Sequence, residues 1–135
     1  MSIHVRRGDY VSDAITQEIH GLSPLEYYAA AIQHIAHVAV QPHFFVFSDD
    51  PSWVRQNLHI DYPTTYVEHN TADRNYEDLR LMSLCRHHII ANSTFSWWGA
   101  WLGSNRAKMV IAPKRWFNTP DKDTRDLIPR SWIQL

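Results

Sequence analysis

His43-Phe44-Phe45-Val46-Phe47-Ser48-Asp49-Asp50-Pro51 decides the fold. Its apolar run, Phe-Phe-Val-Phe, has the length of a strand and no polar alternation, so it reads as a strand buried on both faces. Ser48-Asp49-Asp50-Pro51 then reads as a helix start, with capping side chains followed by proline, and the helix runs through about Leu58. A buried strand that hands over directly to a helix is the repeating unit of a parallel sheet.

The same alternation extends in both directions. Ser2 to Arg6 reads as a strand that ends at an Arg-Arg-Gly turn, and Val11 to Leu22 as a loop of mixed polarity. Ser23-Pro24-Leu25-Glu26 has the form of a capping box, which starts a helix carrying Tyr28, Ile32, Ile35 and Val38 at helical spacing. Thr64 to Val67 is a third strand. Tyr76 to Cys85 is a helix with Leu79, Met82 and Leu84 available to its core face. His88 to Ala91 is a fourth strand, Asn92-Ser93-Thr94 a cap, Phe95 to Leu102 a helix closed by Gly103, and Met109 to Ala112 a fifth strand. The tail from Asn118 to Leu135 is polar, is interrupted by Pro120 and Pro129, and is expected to wrap the surface. The predicted fold is therefore α/β: a Rossmann-like parallel sheet with helices on both faces, residues 1–135 forming one domain.

Composition bounds the function. The 135 residues are 44% hydrophobic and 20% charged, the balance of an ordinary globular chain. A net charge of -1 provides no bulk field for nucleic acid, so any anion must be held by a local cluster. The lone cysteine, Cys85, excludes an internal disulfide framework and a multi-cysteine zinc site. Nine histidines are present but form no ligand set: His34 and His37 lie three apart on a helix, His87-His88 opens a strand, and no His-Glu-x-x-His occurs. With four glycines and no glycine-rich loop, phosphate would have to be held by side chains and helix ends.

Three polar clusters fall at the carboxyl ends of strands, where such sheets bind ligands: Arg6-Arg7-Gly8-Asp9, Ser48-Asp49-Asp50 and Asn92-Ser93-Thr94. Paired guanidiniums match a diphosphate, since each presents planar donor pairs and stays charged. The competing reading is a structural ion pair of Arg7 with Asp9 or Asp13. His4 shares a strand face with Arg6, whereas Arg7 points to the other face, so one arginine suits phosphate and the other suits holding the loop. The helix start at Ser93-Thr94 is either a plain cap or an anion site. Asp49-Asp50 lacks the usual Asp-x-Asp spacing of a metal site and reads as a cap. Trp97, Trp98 and Trp101 read as packing residues, with a base-stacking platform as the alternative.

His4-Val5-Arg6-Arg7-Gly8-Asp9-Tyr10 resembles the first signature of the α-1,2-fucosyltransferases, glycosyltransferase family 11, which is linked distantly to the α-1,6- and protein-O-fucosyltransferases. Phe45-Val46-Phe47-Ser48-Asp49-Asp50 with Trp53-Val54 resembles the second block. Asp78 to Ser83 and Ile89 to Leu102 resemble the third, and Ile111 to Phe117 the closing strand and loop. The resemblance implies transfer of L-fucose from GDP-fucose to the 2-hydroxyl of a terminal galactose, with inversion and without metal or other cofactor. It also implies a GT-B-like architecture, of which these blocks form the C-terminal, donor-binding domain.

By position, Arg6 resembles the arginine that holds the β-phosphate, and His4 and Arg7 its donor-site neighbours. Asp78 resembles the acid that reads guanine; Ser93, Thr94 and Ser96 fall where phosphate-contacting hydroxyls and amides occur. Family members carry an acceptor half ahead of the signature, and here the chain begins three residues before the signature histidine, so an N-terminal half is expected to be missing. Related α-1,6 enzymes place a glutamate in the following loop; Ala14 stands there, beside Asp13, which makes Asp9 and Asp13 the base candidates and Arg6 the leaving-group stabiliser. The expected partners are GDP-fucose, a galactose-terminated glycan and no nucleic acid. The expected setting is the bacterial cytoplasm or peripheral association with the cytoplasmic membrane face. Two other readings stay open: a non-catalytic GDP-sugar-binding module, and an interaction domain that docks through the tryptophan-rich helix.

Overall fold

The computed structural model describes residues 1–119 and 122–135; Pro120, one of the tail breakers, lies outside the described residues. The strands are β1 (Ser2–Val5), β2 (Phe44–Ser48), β3 (Thr64–Val67), β4 (His88–Ile89), β5 (Val110–Ala112) and β6 (Ile133–Gln134). The helices are α1 (Gly8–Ser12), α2 (Ala14–His20), α3 (Leu25–Val38), α4 (Pro51–Asn57), α5 (Asn75–Ser83) and α6 (Thr94–Leu102). All strand pairs are parallel, in the order β3-β2-β1-β4-β5-β6. This is the 3-2-1-4-5-6 order of dinucleotide-binding Rossmann sheets, whose direction of growth reverses between β1 and β4.

Period-two alternation sorts the strand residues onto two faces. Ile3, Val5, Phe44, Val46, Ile89 and Ile111 pack with Tyr28, Ile32 and Ile35 of α3 and Val54 of α4. On the other face Phe47 and Val67 meet Met82 of α5, while Ile90, Val110 and Ala112 meet Ala100 of α6. Gly99 lets α6 approach α5 closely, since a β-carbon there would stand 3.1 Å from the Met82 side chain. Asp50 caps α4 by accepting from Trp53 N at 3.1 Å, with Pro51 opening the helix as its sequence dictates.

Four expectations are corrected. The segment read as a loop holds α1 and α2: Asp13 caps α2 by accepting from Thr16 N, and Tyr10 buries its ring and donates to Asn92 O at 3.1 Å. Helices this short draw stability from such contacts rather than from periodicity. Ser23 does not cap α3; its hydroxyl donates to Asn92 Oδ1 at 3.2 Å, and the helix starts after Pro24. Val38 and Leu84, placed on core faces, are exposed at the ends of their helices, and Phe45 is 37% exposed, so β2 is not fully covered on its second face. Finally, the tail does more than wrap: Trp132 is buried and β6 extends the sheet, with Ile111 opposite Ile133. Two residues show no strand pattern; pairing with the open edge of β5 creates the element.

His88 on β4 is fully buried beside Ser2 Oγ at 2.9 Å, and burial, aided by nearby Lys108, lowers its pKa to about 3. The unfolded chain therefore binds a proton that the folded chain refuses. This contribution to stability is complete above the unfolded value near 6.5 and is lost as pH falls toward 3. Urea midpoints should fall between pH 6.5 and 4, and less steeply in His88→Asn than in the unsubstituted chain; identical pH profiles would contradict the assignment.

Candidate functional site

β1 and β4 are neighbours from which the sheet grows in opposite directions, so the loops leaving them diverge and open a crevice at their carboxyl ends. A cavity of about 750 Å³ occupies this place, within the range of small-ligand sites. Arg6 follows β1, Ser93 and Thr94 follow β4, and all three line it.

The two arginines part at the end of β1. Arg6 faces the cavity, held by Asp9 at 2.8 Å and Asp49 at 3.2 Å. Arg7, expected beside the ligand, is turned away. Its guanidinium lies 3.5 Å from the centre of the Trp53 ring and its Nε donates to Asp50 at 3.4 Å. Its backbone N–H donates to Asp49 Oδ1 at 2.8 Å, so one carboxylate ties the Arg6-Arg7 turn to the end of β2. Gly8 is needed for that approach, because a β-carbon would stand 2.5 Å from Asp49 Oδ2. Arg6 is the only lysine or arginine on the cavity wall among the described residues.

His4 lines the cavity two residues before Arg6. It is 4% exposed, its Nδ1 has no protein partner, and burial next to Arg6 lowers its pKa to about 3, so it is neutral at physiological pH. Ser93 forms no side-chain cap on α6, which leaves the first N–H groups of that helix free at the cavity wall. Such an N-terminus attracts anions through its free donors and its dipole. Ser96 is not brought to the cavity: it is buried, and its hydroxyl donates to Ser93 O at 3.1 Å and Ala91 O at 3.4 Å. Asp78 does reach the wall, where Asn70 Nδ2 donates to its Oδ1 at 2.6 Å and orients the carboxylate.

The base candidates separate as well. Asp9 lines the cavity, paired to Arg6. Asp13 does not; it is exposed, committed to Thr16, and held below the usual carboxylate range by the Thr16 hydroxyl and backbone. Sequence reasoning missed Tyr10, Thr16, His20, Glu68 and Asn70, which also line the wall. Only Tyr10 stood within a quoted motif; the others lie in segments without a readable pattern. Trp97, Trp98 and Trp101 are absent from the wall, so they make no platform for a base there. Trp97 packs on Trp101 and Trp132 and donates from its indole to Leu127 O, while Trp98 and Trp101 are half-exposed. Those two exposed rings are the observation on which the docking reading rests. No group of three or more His, Cys, Asp or Glu among the described residues has an arrangement suited to a metal ion.

The model of glycosyl transferase family 11 matches residues 1–135. The chain belongs to this family. Within it, the chain is 42% identical to the O-antigen biosynthesis glycosyltransferase WbnK of Escherichia coli, over 99% of its own length and 44% of that protein. It is 38% identical to an alpha-1,2-colitosyltransferase of Escherichia coli, over 100% of its length and 47% of the relative. To the galactoside 2-alpha-L-fucosyltransferase SEC1 of Bos taurus it is 29% identical, over 76% of its length and 28% of that protein. The chain thus spans about half the length of the curated bacterial relatives it matches. No solved structure matches it. Family membership places the chain among glycosyltransferase sequences.

The position of Arg7 gives the first test of the site. Arg7→Ala should lower the unfolding free energy by about 1–2 kcal/mol through loss of the Trp53 stack and the Asp50 bond. Urea denaturation measures this, and an unchanged midpoint would show that the stack contributes nothing.

Proposed function

We propose that the chain forms the donor-binding part of an inverting, metal-independent α-1,2-fucosyltransferase. GDP-L-fucose binds over the β1–β4 crevice, and the acceptor is the 2-hydroxyl of a terminal galactose. The observation that carries the reading is the pairing of one cation, Arg6, with the uncapped N-terminus of α6 across a sheet switch point. A diphosphate satisfies both at once. The carboxylate of Asp78, oriented by Asn70, accepts only, and guanine offers two adjacent donors on its Watson–Crick edge. Adenine offers one donor beside an acceptor, so Asp78 favours guanine.

Arg6, His4, Ser93 and Thr94 contact the diphosphate in this reading, and Arg7 and Ser96 brace the turns that carry them. As the bond from sugar C1 to the β-phosphate oxygen breaks, its electron pair passes to GDP, and Arg6 and the α6 N–H groups meet the growing charge. The acceptor oxygen forms the new bond to C1 from the opposite side and loses its proton to a base. Asp9 is the acid we assign to that role, because it lines the cavity whereas Asp13 does not.

The similarity to the alpha-1,2-colitosyltransferase of Escherichia coli favours a second donor, a GDP-linked colitose, at the same α-1,2 linkage. Comparing transfer to lactose from the two GDP-sugars separates the readings. GDP binding without any turnover favours the non-catalytic module. The Escherichia coli relatives support a bacterial setting. No helix of the described residues is long and apolar enough to cross a membrane.

GDP should bind at least about tenfold more tightly than ADP, and Asp78→Ala should erase most of that difference, since hydrogen bonds to a charged group are worth about 1.5–3 kcal/mol. Calorimetric titration measures both; equal affinities for GDP and ADP would end the guanine assignment. Arg6→Ala should weaken GDP roughly tenfold to a hundredfold on the same scale, with melting temperature nearly unchanged. EDTA should leave GDP binding as it was.

A further inference from the structure

The cavity has an end that the nucleoside diphosphate leaves unfilled. Sheet order gives its direction. Glu68 and Asn70 follow β3, Asp49 follows β2, Arg6 follows β1, and Ser93 follows β4. Phe117 follows β5, and its ring lies 5.2 Å from that of His20. The residues that line the cavity follow β3, β2, β1 and β4, which is three strand spacings, about 14 Å in all. Arg6 stands between its ends. The Asp78–Asn70 pair marks one end and His20 the other.

At the α2 end the lining changes character, with Phe117 packed behind it. The imidazole of His20 lies between two aromatic rings, stacked on Tyr10 at 5.0 Å and tilted against Phe117. Arg6 Cζ is 5.6 Å from the Tyr10 ring, so this aromatic cluster begins where the phosphate-binding group ends. No lysine or arginine other than Arg6 lines the cavity among the described residues. His20 Nδ1 is buried and has no protein partner, although buried polar atoms almost always have one. The Tyr10 hydroxyl is not available to a ligand, because it already donates to Asn92 O. An aromatic cluster with one unsatisfied polar atom suits a neutral ring that presents C–H groups and hydroxyls. It does not suit a second phosphate or a charged group.

We infer that Tyr10, Thr16 and His20 form the subsite for the sugar of a nucleoside diphosphate sugar, with the His20 imidazole hydrogen-bonded to a sugar hydroxyl. This rests on the reading of the cavity as a GDP-sugar site and extends it by assigning the sugar to the α2 end. The residue is held in place for the task. His20 ends α2, and its carbonyl accepts from Asn92 Nδ2 at 2.9 Å. Gly21 then turns the chain at φ 65°, where a β-carbon would collide with Asn118. Asn118 in turn donates from its backbone to Ile19 O at 2.8 Å, which fixes α2 against the loop after β5.

The test is a pair of calorimetric titrations on the 135-residue chain, with GDP and with GDP-L-fucose. His20→Ala should weaken GDP-L-fucose about tenfold, the loss of roughly one hydrogen bond, and change GDP by less than about twofold. Equal losses for both ligands, or no loss for either, would overturn the subsite. Failure of the unsubstituted chain to bind GDP would instead bring down the underlying reading, and the two failures are therefore distinct. A second measurement needs no variant. Irradiating the aromatic protons of the protein should transfer saturation to the fucose ring protons of bound GDP-L-fucose. Transfer confined to the nucleoside would place the sugar elsewhere and overturn the proposal.

Discussion

One side-chain amide holds the ligand end of this molecule together. Asn92, at the end of β4, is buried, and its Nδ2 donates to His20 O, Gly21 O and Trp116 O at 2.9, 3.2 and 3.1 Å. Its Oδ1 accepts from Ser23, and its backbone carbonyl accepts from Tyr10. One residue therefore joins the end of α2, the approach to α3, the loop after β5 and the wall of the cavity. The buried carbonyls of Gly21 and Trp116 would otherwise lack this donor, at a cost of about 1–3 kcal/mol apiece. Neither α1 nor α2 has the length to persist alone, so the wall they form depends on being tied here.

The electrostatics of the cavity follow from scarcity. Four glycines cannot build a loop that lays backbone N–H groups along a diphosphate. The burden falls on one guanidinium and one helix end. Arg6 is already bracketed by Asp9 and Asp49, and both pairs are partly exposed. Ion pairs at such sites are worth little, so they orient the guanidinium without holding it against a stronger anion. A doubly charged diphosphate can take the donors while Asp49 keeps its second task, the bond from Arg7 N–H. Arg7 completes the division of labour by anchoring the far side of the turn on Trp53.

Much of the fold was legible because parallel sheets write themselves in buried strands and capped helices. Phe44 to Phe47 and Asp50-Pro51 needed no tertiary information, and Thr64 to Val67 appears with the bounds its composition suggests. What stayed hidden was structure made by contact. Ser23 looked like a cap and instead serves Asn92; Ile133–Gln134 became a strand only because β5 offered an edge. The cavity divides in the same way. Arg6, Asp78, Ser93 and Thr94 sit in motifs whose chemistry can be read. Thr16 and His20 reach the wall only because α2 is folded over the ends of β4 and β5, which no local pattern announces.

The distribution of buried polarity explains why the switch point is the place to look. The buried polar side chains among the described residues are Ser2, His4, His88, Asn92, Ser93 and Ser96. All six lie on β1, on β4, or between β4 and the first turns of α6, with Ser2 and His88 at the amino ends of their strands, away from the cavity. β2 and β5, which flank that pair, bury apolar side chains instead. Polar groups in a sheet interior cost free energy unless bonded, and most of these are bonded: Ser2 to His88, Ser96 to the carbonyls before it, Asn92 to its loops. His4 Nδ1 and His88 Nε2 are not, and of these two residues His4 lines the cavity. A sheet selected for stability alone would carry apolar residues here, as its other strands do. Polarity concentrated on the two strands where the sheet reverses, with an unsatisfied buried atom on a residue that lines the cavity, is the pattern expected where binding as well as packing constrains the sequence.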